Sequence, residues 1–166
     1  SEIDKHLKDY RFNDAANTIY QFIWHELCDW YIELSKTSLT LNNNGKLSLR
    51  GEFTLKTLMY VLDNSLRMLH PFMPFVTEEI WQQLPGCSGS IIVAPFPQAD
   101  AREFDAAAEK EMETIIQAVT AIRNLRSEMN LSPAGRPHTD MLCHSDAVMG
   151  ILQAHTPMMC TLAGLK

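Results

Sequence analysis

The chain has 166 residues, and its 14 Lys and Arg against 20 Asp and Glu give a formal charge of −6, which excludes a protein that coats phosphate with a general basic surface. Hydrophobic residues make up 46%, yet no apolar run approaches the roughly 20 residues of a membrane span. A soluble globular chain is expected, burying about 70% of the surface its unfolded form exposes. Cys28, Cys87, Cys143 and Cys160 form no C-x-x-C pair and no repeated Cys/His spacing. They read as free thiols in a reducing cytoplasm, with no metal site. The start, Ser-Glu-Ile-Asp-Lys-His, carries neither an initiator Met nor an apolar signal segment and reads as part of a longer polypeptide.

After a polar lead-in from Glu2 to Tyr10, the spacing predicts a long helix over 12–36. Ala16, Ile19, Ile23, Leu27, Trp30 and Leu34 follow steps of three and four and form one apolar stripe at 100° per residue. Tyr20, Trp24 and Tyr31 widen the stripe, so Trp24 and Trp30 are expected in the core along with Trp81. Thr18, Gln21, His25 and Asp29 form the wetter face, and Phe22 falls outside the pattern. Asn13 or Asp14 is the expected cap. A loop follows over 37–51, in which Asn44-Gly45 suits a turn with positive φ.

Helical periodicity resumes over 52–69, with Leu55, Leu58, Leu62, Leu66 and Leu69 on one face. Lys56, Tyr60, Asp63 and Arg67 lie opposite, and Asp63 and Arg67 are spaced as an i,i+4 ion pair. Pro71 and Pro74 predict a break at 70–74, where His70 would hydrogen-bond the interrupted backbone ladder in preference to a metal. A short helix should run to Leu84, with Ile80, Trp81 and Leu84 as its apolar contacts. The β-branched run Ser90-Ile91-Ile92-Val93-Ala94 reads as one strand or as a strand-like connection draped on the helices.

A third long helix is expected over 105–130, capped by Asp105, with Ala108, Met112, Ile115, Val119, Ile122 and Met129 buried. Beyond a Pro/Gly linker, 138–144 reads as a second short strand. Two helices should follow, capped by Asp146 and by Thr156, with Pro157 in the first turn of the second. Charge is segregated along the chain: Arg123, Arg126 and Arg136 stand close together, whereas 100–113 is mainly acidic.

No G-x-x-x-x-G-K-[ST] or G-x-G-x-x-G loop is present to cradle a nucleotide phosphate, and no spacing marks a nucleophile with its base. No residue is therefore assigned a catalytic role.

Cys28-Asp29-Trp30-Tyr31-Ile32-Glu33-Leu34, closing an aromatic-rich helical run, resembles the anticodon-binding helix of the valyl-tRNA synthetases. The stretches from His70 to Trp81 and from Ile122 to Pro133 resemble the next two signatures of the same family, in the same order, so the resemblance covers nearly the whole chain. It implies a mainly α fold: the anticodon-binding helical bundle of class I aminoacyl-tRNA synthetases over 1–130, with a small truncated C-terminal α/β piece over 131–166. It further implies recognition of tRNA(Val) as partner, together with the catalytic body of the same polypeptide, in the cytoplasm and with neither membrane nor DNA involved. The H-I-G-H-like and K-M-S-K-S-like elements of the family's catalytic body are absent from this chain. Hence no cofactor is expected here, and ATP and Mg would serve the full-length enzyme elsewhere.

Under that resemblance Phe22 is a candidate to stack on an unpaired anticodon base, an interaction worth ~1–3 kcal/mol. Packing beneath a neighbouring helix is its structural alternative. Arg11 and Lys56 are candidates for phosphate or base edges, or else solvated surface charges. Arg123 and Arg126 match the family's I-R-x-x-R pattern, which implies that one of them bridges to tRNA or to the catalytic body, although cations near a helix C-terminus are favoured by the macrodipole in any case. Two alternatives stand beside this reading: an isoleucyl-type anticodon-binding domain, and a helical protein-interaction module with no RNA role.

Overall fold

The computed structural model describes residues 2–100, 102 and 104–166. The chain divides into two compact units, Ser1–Ala99 and Asp100–Lys166. The first holds α1 (Glu2–Lys8), α2 (Phe12–Gln21), a π-helical segment (Phe22–Ile32), α3 (Glu33–Ser38), α4 (Leu49–Leu69), α5 (Pro74–Gln82) and a 3₁₀ turn (Ile91–Val93).

From Phe12 to Ser38 the helix is continuous, as the periodicity predicts, but its middle eleven residues are wound as a π-helix with i→i+5 bonds. This changes which side chains face inward. Ala15, Ile19, Leu27 and Ser35 are buried, with Ile23 and Tyr31 half-buried between them. These are steps of four throughout. In an α-helix such steps drift by about 40° each, whereas the wider π turn advances each residue by less and holds them in line. The expected stripe through Ala16, Trp30 and Leu34 is corrected accordingly. Tyr20 and Trp24 are 54% and 53% exposed instead of core, and Trp30 is half-buried.

The expected cap at Asn13 or Asp14 is also corrected. Arg11 holds the N-cap position with no side-chain cap bond, and the Asp14 carboxylate accepts from Arg11 Nε at 2.6 Å. The loop after α3 closes on a single antiparallel bridge between Leu41 and Leu47. The Asn42 side chain accepts from the amides of Asn44 and Lys46 at 3.0 Å each, and Gly45 takes φ +71° at the predicted turn.

α4 begins at Leu49 instead of Glu52, because the Ser48 hydroxyl accepts from the Gly51 amide at 3.1 Å and caps the helix. A Cβ on Gly51 would stand 2.6 Å from the Ser38 carbonyl oxygen, so glycine lets the start of α4 close on the end of α3.

Leu66, Trp81 and Ile91 form a buried cluster against which Leu62, Leu84, Cys87 and Ala94 pack. Ile91 sits on the 3₁₀ turn between extended Ser90 and Ala94, so the draped connection is what forms there and the strand is not. At the break, His70 pairs its Nδ1 with the fully buried Thr77 hydroxyl at 2.8 Å, and that hydroxyl donates to the Met73 carbonyl at 2.8 Å. The bond to the ladder therefore comes from Thr77 and not from His70. With its single hydrogen directed at Met73, the Thr77 oxygen is left as the acceptor in its contact with His70 Nδ1.

The second unit comprises α6 (Ala106–Glu128), α7 (Asp146–Ala154) and α8 (Thr156–Ala163). Ile115, Val119 and Ile122 of α6 are buried with Leu152, Met159 and Ala163. Asp105 caps α6 as predicted, accepting from the amides of Ala107 and Ala108 at 3.0 and 3.1 Å. Ala108 and Met129 are exposed, outside the stripe drawn from sequence. The helix caps expected at Asp146 and Thr156 fall one residue earlier, at Ser145 and His155.

No strand forms over 138–144, since a lone strand with no neighbour leaves its backbone groups unpaired. The α/β piece is thus corrected to helix and irregular chain. α6 packs on α7 and α8, all three within the compact unit Asp100–Lys166. Among the described residues no helix is long and apolar enough to cross a membrane.

Candidate functional site

One face of α4 in the first unit interleaves aromatic and basic side chains in the manner of single-stranded nucleic-acid surfaces. Phe53, Lys56 and Tyr60 stand at i, i+3 and i+7 and share that face. Phe53 is 61% exposed and Tyr60 53%, and Lys56 Nζ lies 5.8 Å from the Phe53 ring centroid. Such a cation–π contact attracts the ammonium to the ring face by ~0.5–1 kcal/mol at an exposed site, which partly offsets the rotamer freedom lost.

Two turns further along α4 the face leads into a cavity of about 500 Å³, lined among others by Tyr60, Asp63, Arg67, Trp81, Cys87 and Pro95. Its polar wall is the predicted ion pair. Arg67 Nε donates to Asp63 Oδ1 at 3.1 Å, and Arg67 Nη2 donates to Oδ2. Trp81 Nε1 donates to Asp63 Oδ1 at 2.6 Å, which satisfies the indole N–H inside the core. Arg67 Nη1 reaches the Pro95 carbonyl at 3.4 Å.

Ser90 of the lining is held by Glu78, whose carboxylate accepts from Gln82 Nε2 at 2.6 Å, Ser90 Oγ at 2.7 Å and the Ile91 amide at 3.2 Å. Hydrogen bonds from Gln82 and Ser90, followed by the Ile91 amide and the nearby His70, keep the Glu78 carboxyl below the usual carboxylate range. Burial, and then the Asp63 charge, push the Cys87 thiol up, which disfavours its reactive thiolate.

Phe22 opens the π segment and is 38% exposed. Tyr20 and Trp24 stack on each other with ring planes 7° apart and centroids 6.1 Å apart. Arg11 lies at the other end of α2 and is held by Asp14.

Arg123 and Arg126 belong to the second unit. Arg123 donates to the Leu162 carbonyl through Nε at 3.2 Å and Nη2 at 2.9 Å. Arg126 donates to Ala163 and Gly164 carbonyls through Nη1 and to Ser132 and Gly135 carbonyls through Nη2. Both guanidinium groups therefore close the C-terminal end of α8. A Cβ on Gly164 (φ +66°) would stand 2.8 Å from Arg126 Nη1, so a side chain there would strain the left-handed turn and displace the guanidinium.

Phe53 and Tyr60 are additions to the residues singled out from sequence. Their spacing with Lys56 was the available signal, and the wall that Trp81 supplies, eighteen residues from Asp63, left none. Among the described residues no three His, Cys, Asp or Glu side chains come together as a metal site.

The protein family described as the anticodon-binding domain of tRNA ligase matches residues 1–140. A valine-tRNA ligase of Geobacter sulfurreducens is 43% identical over 170 residues, covering 100% of this chain and 18% of that protein. Valine-tRNA ligases of Pseudothermotoga lettingae and Geobacillus stearothermophilus are each 44% identical over 80% of this chain, which amounts to 15% and 14% of their own lengths. The chain thus spans less than a fifth of these relatives.

Proposed function

The chain belongs to the anticodon-binding domains of tRNA ligases, and on that premise we propose that it recognises tRNA(Val) as one part of a valyl-tRNA synthetase. The observation that carries this is the 43% identity to a valine-tRNA ligase along the whole chain, which favours the valyl reading over an isoleucyl one. The geometry supports it with exposed aromatic rings and a cation on helices that a rigid core holds in place.

In this reading Phe22 stacks on an unpaired anticodon base, while Lys56 and Arg11 meet phosphate or base edges. Arg123 and Arg126 are spent on carbonyls and serve the fold of the second unit. RNA contact is local, as a chain of charge −6 requires. Valine activation with ATP and Mg belongs to the rest of the polypeptide, in the cytoplasm. No step of that chemistry is assigned to the residues described here. The catalytic body, as the second partner, raises the effective concentration of the tRNA at this surface.

Binding of labelled tRNA(Val) to this chain, measured against a tRNA(Val) with an altered anticodon, tests the proposal. Salt-sensitive binding to the first alone is expected, weakened about 5- to 150-fold by Phe22→Ala from the loss of one stack. Equal affinity for both RNAs, or none for either, would overturn it.

A further inference from the structure

The cavity beside Tyr60 has no part in the contacts assigned above, and we infer that it receives one unpaired nucleobase of the RNA loop, with Tyr60 stacking at its rim. The inference rests on the anticodon-binding reading and adds to it a specificity site.

Size is the first argument. About 500 Å³ lies within the ~300–1,000 Å³ of small-ligand sites, enough for a base while its ribose and phosphate stay outside. Chemistry is the second. Met59, Leu84, Val93 and Ala94 supply apolar walls, and Asp63 with Arg67 supplies one polar edge.

That edge is a matched pair. An ionised carboxylate has roughly four acceptor positions and a guanidinium five N–H donors. Asp63 accepts two bonds from Arg67 and one from Trp81, and Arg67 spends one further N–H on Pro95. Acceptor and donor capacity therefore remain side by side, which is what an amino or imino N–H next to a ring nitrogen or carbonyl on a base edge requires. Because the pair is neutral as a whole, it does not repel the phosphates beside the base.

The third argument is preorganisation. Asp63 is fixed by the buried Trp81 indole, and Glu78 ties down Ser90 of the lining and the adjoining Ile91 amide, so a base would enter a shape already formed. Lys56 precedes Tyr60 by one turn on the same face of α4, where the backbone leading to that base passes.

The test uses this chain and a hairpin RNA carrying the anticodon loop of tRNA(Val), with 2-aminopurine placed at one loop position at a time. One position is expected to change its fluorescence on binding. Ser88→Trp, which fills the cavity from an exposed loop, and Tyr60→Ala should each abolish that change and weaken binding about 5- to 150-fold. Tyr60→Phe should restore both, and an unaltered thermal transition in each variant excludes misfolding. Wild-type binding with no position responding, or with Ser88→Trp and Tyr60→Ala binding as wild type, would overturn the pocket and leave the anticodon reading intact. No binding of the hairpin by wild type would remove both. Free nucleosides are a separate arm: binding of adenosine or cytidine as tight as that of the hairpin would make this a small-molecule site and overturn the inference.

Discussion

Replacing Arg126 by alanine should loosen the second unit and leave RNA recognition untouched. The guanidinium joins the last turn of α8 to the turn at 132–135 through four carbonyls. A hydrogen bond to a charged group contributes ~1.5–3 kcal/mol when well buried. Here the two bonds from Nη1 are part-buried and the two from Nη2 are exposed, so solvent screening reduces them to about 1 and about 0.5 kcal/mol each. The four bonds together cost about 3 kcal/mol to lose, and the favourable placement of a cation at a helix C-terminus adds about 0.3 kcal/mol or more.

All the Trp and Tyr residues precede residue 82, so aromatic fluorescence reports the first unit alone, while amide exchange of α6 to α8 reports the second. Exchange in α8 should rise about a hundredfold or more in Arg126→Ala. Arg126→Lys should not restore it, because an ammonium cannot reach the two segments with a planar fork. Unchanged exchange in α8 together with lost affinity for tRNA(Val) would refute this assignment and return Arg126 to the RNA interface.

Two further outcomes follow from the first unit. Glu78 has its folded pKa lowered, so its contribution to stability is present above the unfolded carboxylate pKa and is lost as pH falls through the lower folded value. Acid titration of stability should therefore show a shallower acid limb in Glu78→Gln, and identical limbs would contradict the clamp on Ser90 and Ile91. Trp81→Phe keeps the ring in the core but strips Asp63 of an indole donor, at a cost of ~1–3 kcal/mol; a urea midpoint equal to wild type would show that water replaces the bond without loss.

What was legible in the sequence is what neighbours along the chain decide. The Asp63–Arg67 pair, the Asp105 cap, the turn at Gly45, the Pro74 helix start and the long rods of α4 and α6 all depend on groups within one or two turns of each other. The aromatic run through Phe22 and Trp30 and the His-Pro-Phe-Met-Pro stretch carried the family resemblance as well. Fine boundaries were less secure, since Ser48 and Ser145 cap helices that begin a few residues from where periodicity alone places them.

The tertiary structure decided the rest because the deciding partners lie far apart in the chain. Trp81 finds Asp63 across eighteen residues, and Arg123 finds Leu162 across thirty-nine. No periodicity encodes such a meeting. The π winding is the subtler case: it changes the angle per residue over Phe22–Ile32, so a pattern computed at 100° sends Tyr20 and Trp24 to the core when the packed helix leaves them on the surface. Likewise the apolar run at Ser90–Ala94 has the composition of a strand, but a strand exists only by pairing its backbone with another. With no partner available, the hydrophobic effect seats Ile91 beside Leu66 and Trp81, and the backbone closes its own short 3₁₀ turn instead.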